Sequence, residues 1–380
     1  MGLIATLMGH AVMRFSPPPA RGPVAPTRMT NLQAWQQHSH AQAPMLRTLP
    51  VIRRVQESRQ MVSLWLEADG DTLAAVQPGQ FFTLVTDIDG QEVRRAYSVS
   101  NLPVEDGALR LTAKKLPGGV MSGWLHGQLK AGDTLTIQGP SGHFVLPDTL
   151  PERLVMIAGG SGITPIRSLV AAALQRQPDL PITLWYACRN SAQAVFRGEL
   201  EQLASEHPSL QVKLLLSQPP ASWSGARGRM SQSWLQAQLP ELNGASRAHV
   251  YLCGPEGLVD TVQQYLSTQG FPASQCHVEL FRPAARAVQQ HPTEPWPVQF
   301  SRSAKAVVAQ PGQSLLDAGL AAGMNLPYSC QVGGCGHCRV RVSQGDTVSD
   351  TPNCLSDAEY QAGYRLACLT YPCSPVTVEA

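Results

Sequence analysis

Four of the nine cysteines form the most specific chemical pattern in the chain. Cys330, Cys335 and Cys338 stand at C-x4-C-x2-C in the run Pro327-Tyr328-Ser329-Cys330-Gln331-Val332-Gly333-Gly334-Cys335-Gly336-His337-Cys338. Cys368 follows after 29 intervening residues. Four thiolates at this spacing suit a [2Fe–2S] cluster, which needs a loop able to wrap closely around two irons. Gly333, Gly334 and Gly336 provide that loop, because glycine tolerates positive φ and lets backbone N–H groups approach the sulfurs. The competing reading is a structural zinc site. Zinc usually takes two CxxC or Cys/His pairs, and here only Cys335 and Cys338 form one. His337 lies between two thiols and is read as facing solvent, since four cysteines already meet the need. Cys354 and Cys373 are read as thiols that are not ligands.

Three further motifs suit the binding of nucleotides. Arg95-Ala96-Tyr97-Ser98 sits on a predicted strand, where alternation puts Arg95 and Tyr97 on one face and Ser98 on the other. Alone it reads equally as a strand with an exposed arginine. Pro117-Gly118-Gly119-Val120-Met121-Ser122 then opens a predicted helix with a glycine turn, and N–H groups at a helix start suit a pyrophosphate. Together an arginine, a helix start and a stacking tyrosine fit a flavin nucleotide. Gly159-Gly160-Ser161-Gly162-Ile163-Thr164-Pro165 follows a predicted strand. It does not match G-x-G-x-x-G, yet glycines near a helix start serve the same purpose, with Thr164 as the expected cap and Pro165 in the first turn. A helix-entry turn with no ligand is the alternative. Cys253-Gly254-Pro255-Glu256 ends another strand, at the edge where open α/β sheets bind ligands; Cys253 could also be core filling. The segment after the second α/β strand lacks an acidic residue for a ribose 2′-hydroxyl, and Arg189 or Arg197 could meet a 2′-phosphate, so NADH and NADPH both stay open.

The elements needed to position these residues fall into three blocks. From Leu46 to Phe144 short runs rich in Val, Leu, Thr and Phe alternate with turns at Asp69-Gly70, Asp89-Gly90, Asp106-Gly107 and Gly132-Asp133, as in a small antiparallel barrel, with one helix from Val120 to about Leu129. From Arg153 to Phe281 apolar strands alternate with helices at Ile166–Leu174, Ala192–Ala204, Ser231–Gln238 and Leu258–Gln269, which implies a parallel sheet covered on both faces. The run RPAARAVQQHPTEPWP is a linker. Val298–Ala380 is small for an independent core, so a bound cluster would help to stabilise it. The domain expectation is therefore an extension at 1–45 without fixed structure, a barrel at 46–147, a nucleotide-binding domain at 148–282, a linker at 283–297 and a cluster domain at 298–380.

Composition excludes little and supports the same class. The net charge is +2, with no Lys/Arg run that would mark a nucleic-acid partner. No apolar run of about 20 residues is present, so no transmembrane helix is expected. Cys188, Cys253 and Cys276 lack paired spacing, which fits a reducing cytoplasm better than a disulfide framework. In the first residues the apolar run precedes Arg14, the wrong order for a secretory signal. Met29 is a candidate translation start, with residues 1–28 as an upstream extension; an intact mass that included Met1–Arg28 would refute it.

The three motif sets, taken in order, resemble the ferredoxin–NADP reductase family, and specifically reductases with a C-terminal plant-type [2Fe–2S] domain. The resemblance covers about Leu46–Ala380. It implies a multidomain β plus α/β protein: an antiparallel FAD-binding barrel, a parallel-sheet NAD(P)-binding domain and a small α+β ferredoxin-like (β-grasp) domain. By this resemblance Arg95 would contact the FAD pyrophosphate, Tyr97 would pack on the isoalloxazine and Ser98 would hydrogen-bond near flavin N5. Gly119, Val120, Met121 and Ser122 would hold the FAD phosphates, and Gly160, Gly162 and Thr164 the pyridine-nucleotide pyrophosphate. Cys253 and Gly254 would lie beside the nicotinamide, and Glu279-Leu280-Phe281 would close near the flavin. Ser98, Tyr97 and Cys253 would be the catalytic residues, and Cys330, Cys335, Cys338 and Cys368 the iron ligands. The implied activity moves electrons from NADH or NADPH through FAD and the cluster to a partner protein: an oxygenase, a desaturase or a hybrid-cluster protein. The partner surface is expected around the Cys330–Cys338 loop. A stand-alone flavin-dependent reductase of small molecules and a redox-sensing binding protein are the other classes.

Overall fold

The computed structural model describes residues 46–281, 291–331, 333–350, 355 and 357–380. Val332 and Cys354, and the extension expected at 1–45, lie outside the described residues, as does most of the linker.

The first block is six antiparallel strands: β1 Leu46–Ser58, β2 Met61–Leu66, β3 Phe81–Ile88, β4 Gln91–Ser98, β5 Leu109–Lys114 and β6 Thr134–Ser141. Their order is β4-β3-β6-β1-β2-β5. A bridge from Val99, just past β4, to Leu111 of β5 joins the two edges and closes the barrel. Inward residues such as Val51, Leu64, Phe82, Leu84 and Leu109 fill it. Two short helices, α1 Gly70–Ala74 and α2 Pro103–Asp106, stand where the sequence predicts only turns; Asp69 caps α1 by accepting from the Thr72 amide. The helix α3 Val120–Gly127 closes one end by burying Met121 and Leu125 in the barrel core.

The second block is the parallel sheet. It contains β7 Arg153–Gly159, β8 Ile182–Cys188, β9 Leu210–Leu216, β10 Ala226–Arg227, β11 Ala248–Gly254 and β12 Cys276–Leu280. The order β10-β9-β8-β7-β11-β12 reverses direction between β7 and β11. That reversal is the switch point where ligands of open α/β sheets bind. Helices α4 Ile163–Arg176, α5 Arg197–Glu206, α6 Gln232–Gln238 and α7 Glu256–Thr268 cover it, with a separate apolar core on each face. The helix expected at Ala192–Ala204 is broken. A single 3₁₀ turn spans Ser191–Gln193, Phe196 takes φ 63°, and α5 begins only at Arg197.

The third block is a mixed sheet, β14-β13-β19-β15-β17, built from β13 Trp296–Phe300, β14 Lys305–Ala309, β15 Arg339–Gln344, β17 Tyr364–Leu366 and β19 Val376–Glu379. β16 Thr347–Ser349 pairs with β18 Thr370–Pro372 beside it. The helix α8 Leu315–Ala321 packs over this sheet. Its start is fixed by a capping box, in which Ser314 Oγ accepts from the Asp317 amide and the Asp317 carboxylate accepts from the Ser314 amide. Trp296 and Pro297, placed in the linker by composition, open β13 instead. His291 stacks on Tyr371 at 3.9 Å and pairs with Asp350 at 3.0 Å, pinning the end of the linker to this block.

Candidate functional site

The four cysteines of the C-x4-C-x2-C…C pattern come together. Cys330, Cys335, Cys338 and Cys368 are all buried, and no cysteine among the described residues is in a disulfide. Cys338 and Cys368 approach to 3.3 Å between sulfurs. Cys330 and Cys335 form a second hydrogen-bonded pair. As free thiols, Cys335 and Cys368 are held well above the ordinary thiol range, first by these hydrogen bonds and then by burial. Two thiol pairs suit two irons, and the loop fits the cluster. Gly333 and Gly336 adopt φ 74° and 73°, so its turns run through left-handed backbone, as glycine there allows. His337 departs from the sequence reading. It is half-buried beside His143, and its Nδ1 has no hydrogen-bond partner among the described residues. The loop folds back on the barrel and takes the histidine with it. Cys373 is exposed.

Strand β4 positions the flavin motif. Ser98 is buried and its Oγ donates to Glu279 Oε2 at 3.3 Å. Tyr97 points the other way and packs on the barrel core, and burial pushes its hydroxyl up. Arg95 is half-buried, with Nη1 donating to the Arg94 carbonyl oxygen. Gly119 caps α3 without any side-chain hydrogen bond, which leaves the first turn of the helix for a ligand. Ser122 is not aimed outward. Its hydroxyl accepts from the Leu116 amide and donates to the Gly119 carbonyl oxygen, tying the turn to itself. Met121 is core, so only its backbone remains for a phosphate, while Val120 is exposed.

At the switch point the two remaining motifs face each other. Cys253 pairs in register with Ala158, so the ends of β7 and β11 lie side by side. A β-carbon on Gly162 would stand 2.0 Å from the Cys253 carbonyl oxygen, and one on Gly254 would press on the Gly159 backbone. The glycines therefore hold the helix start against the strand end, and a pyrophosphate can reach the turn. Thr164 does not cap α4. It lies within the first turn and donates to the Ser161 carbonyl oxygen at 3.0 Å; Gly162 is the cap residue and has no side chain to offer. Lys114 of β5 reaches across from the barrel, its ammonium 3.9 Å from where a β-carbon on Gly160 would stand. Cys253 is fully buried, and burial and then the nearby Glu279 carboxylate raise its thiol. Glu279 itself is pushed up to about 8, by burial, against the lowering effect of the Ser98 hydroxyl. Phe281 follows β12 and is exposed. Arg189 is exposed at the end of β8, whereas Arg197 pairs with Glu201 at 2.6 Å.

Several residues that gather the site had no motif to announce them. Arg110 of β5 lies between the Trp65 and Phe196 rings and pairs with Glu199 of α5, which also meets Arg167 of α4. This triad joins the barrel to the nucleotide domain. Phe81 and Ala96 pack on Cys330 and Cys335. The cluster loop thus turns one thiol pair toward the barrel.

A barrel with a helix-start phosphate site, a parallel sheet with a nucleotide turn at its switch point, and a four-thiol loop packed on the barrel define a class. The chain is an oxidoreductase taking FAD, a pyridine nucleotide and a [2Fe–2S] cluster. Family models agree: an oxidoreductase FAD-binding domain matches residues 48–146, an oxidoreductase NAD-binding domain 156–264, and a 2Fe-2S iron-sulfur cluster binding domain 298–373. One subunit of the 1,2-phenylacetyl-CoA epoxidase of Escherichia coli K12 is 33% identical over 308 residues, 78% of this chain and 86% of that protein. The glycine betaine monooxygenase reductase subunit of Chromohalobacter salexigens is 28% identical over 347 residues, 86% of this chain and 94% of the relative. Phthalate dioxygenase reductase superposes with a TM-score of 0.60 at 23% identity, covering 88% of this chain and 98% of that structure, and shows the shared fold. The chain belongs to the ferredoxin–NADP reductase family, in its three-domain form with a C-terminal [2Fe–2S] domain.

Proposed function

We propose that this protein is the reductase component of an oxygenase system, drawing electrons from NAD(P)H and handing them singly to an oxygenase. The observation that carries this reading is the face of β4 on which Ala96 meets the Cys330/Cys335 pair and Ser98 meets Glu279, two residues further along. One rigid strand spans the cluster loop and the nucleotide crevice, a separation of about 7 Å at the strand rise. One relative is named as the reductase subunit of a monooxygenase and another as part of an epoxidase, which supports an oxygenase as the acceptor.

When bound, FAD interconverts a two-electron hydride and single electrons, and the cluster takes electrons one at a time. The chain's own residues supply position and charge. Arg95 and the first-turn amides of α3, at Val120, Met121 and Ser122 after Gly119, hold the FAD phosphates. Tyr97 packs on the flavin, and Ser98 hydrogen-bonds at its reactive edge. The turn at Gly160 and Gly162, the amide of Thr164 and the ammonium of Lys114 hold the pyridine-nucleotide pyrophosphate. Cys253 and Gly254 seat the nicotinamide against the flavin, with Glu279 keeping a proton beside Ser98 at neutral pH. Phe281 covers the flavin, and Arg189 meets the adenosine. Cys330, Cys335, Cys338 and Cys368 would hold the cluster's irons. The oxygenase docks at the open rim of the loop around Gly334, since the Cys330/Cys335 side is covered. The thiols support a reducing, cytoplasmic setting.

The test is a comparison of acceptors. Cys335→Ser is expected to keep the flavin spectrum and NAD(P)H–ferricyanide activity while losing the cluster spectrum and reduction of cytochrome c or an oxygenase. Equal reduction of protein acceptors with and without the cluster would refute the reading.

A further inference from the structure

The cluster loop is gripped by a set of side chains that the flavin and nucleotide sites do not use. Arg94 precedes Arg95 in sequence but points to the opposite face of β4, the face shared by Ala96 and Ser98. Its side chain is 8% exposed. It is held on three sides: Nε donates to Glu92 Oε1 at 2.7 Å, Nη1 donates to Gln138 Oε1 at 3.0 Å, and its central carbon Cζ lies 4.6 Å from the centre of the Tyr328 ring. Gln138 of β6 completes the circuit, donating from Nε2 to the Tyr328 carbonyl oxygen at 3.3 Å. One residue on, Ser329 Oγ and Thr83 Oγ1 of β3 share a buried hydrogen bond of 3.0 Å. The next residue is Cys330, packed with Cys335 on Phe81 and Ala96.

Three consecutive residues, Tyr328, Ser329 and Cys330, are therefore held by three adjacent barrel strands. A buried cation has no reason to sit at this seam unless it is well paired, and here its partners come from both domains. An arginine fits the place where a lysine would not, because a planar guanidinium can stack on a ring and still donate from its edge.

We propose that Arg94 is a positioning residue for electron transfer within the chain: through Tyr328 it locks the Cys330/Cys335 side of the cluster loop at a fixed distance from the flavin. This rests on the reading that electrons cross from flavin to cluster. One electron leaves the reduced flavin and one enters the cluster, and no bond or proton crosses the seam. The transfer rate falls steeply with the gap, so a loosened loop slows this step without touching the hydride step.

The test uses the holoenzyme with Arg94→Met, Arg94→Lys, Tyr328→Ala and Tyr328→Phe. Anaerobic mixing with NADH or NADPH separates flavin reduction from cluster reduction. Hydrogen exchange at residues 328–331 reports docking independently of activity. In Arg94→Met and Tyr328→Ala, flavin reduction is expected at the native rate and cluster reduction at least tenfold slower. Cluster content should be full and exchange at 328–331 faster. Tyr328→Phe, which keeps ring and carbonyl, should match the native protein, and Arg94→Lys should fall between. The Arg94→Met/Tyr328→Ala double variant should lose less than the two single losses combined, since both break the Arg94–Tyr328 contact. Native cluster reduction in Arg94→Met with full cluster content would overturn the proposal, as would slowing that only tracks lost cluster. If the native protein itself shows no flavin-to-cluster transfer, the underlying reading fails instead.

Discussion

Glu279 is the residue whose protonation sets the character of the crevice. Its carboxyl is raised from 4.5 to about 8, chiefly by burial, so it carries a proton in the folded protein at pH 7 and none in the unfolded chain. The folded state then binds more protons than the unfolded one between these values, and stability falls as pH rises from about 5 to 8. Thermal melts across that window should show the decline, and Glu279→Gln should flatten it; an unchanged slope in the variant would assign the effect elsewhere. At this scale the residue types in the motifs were legible, but not always their tasks. Thr164 has a capping side chain, yet the helix is capped two residues earlier, at Gly162, and the Thr164 hydroxyl satisfies Ser161. Ser122 serves its own turn, and Met121 the core. A sequence shows which side chains can donate, and only the fold shows where a nearer acceptor stands. Arg94 was hidden in the same way beside the more familiar Arg95, although alternation along β4 already separates them.

Elements follow the apolar patterns closely, because period-2 and buried runs are dictated by what a strand must hide. The exceptions lie where tertiary contact outweighs propensity. Phe196 interrupts the helix expected at Ala192–Ala204 by taking φ 63°, and its ring is used 4.4 Å from Arg110. The short helices α1 and α2 have no period long enough to read. At the switch point the sequence shows glycines, and the structure shows which one is sterically required. Gly162→Ala should cost about 3 kcal/mol, because the added methyl meets the Cys253 carbonyl oxygen and neither backbone can yield freely. It should also weaken nucleotide binding, read as a raised KM for NAD(P)H. A stable variant with native KM would show that the two strand ends need not be so close.

The molecule works through its seams, and these were the least legible part of the chain, since their partners lie far apart in sequence. Glu199 shows the energetic logic. Burial alone would raise its carboxyl, but the hydrogen bonds and charges of Arg110 and Arg167 outweigh that and hold it below the ordinary value. A lowered carboxyl contributes stability that is present above its unfolded pKa and lost as pH falls through the folded one, so the barrel–nucleotide seam should open first in acid, below about pH 4. Glu199→Gln should cost roughly 1–3 kcal/mol, less than for a fully enclosed pair because its side chain is 36% exposed. Melting curves at pH 7 and about pH 3 check this: the variant's deficit should shrink in acid. A deficit that stayed constant would mean that the charge is not what matters.

In the function proposed above, a single chain converts hydride pairs into single electrons by holding flavin and cluster across the β4 seam. Anaerobic mixing of the holoenzyme with NADH or NADPH, followed in the visible and by electron paramagnetic resonance of the cluster, tests it most directly. Flavin reduction is expected first, then reduction of the cluster in the same molecule at a rate independent of protein concentration. A cluster that stays oxidised after the flavin is reduced, yet is reduced by dithionite, would contradict it.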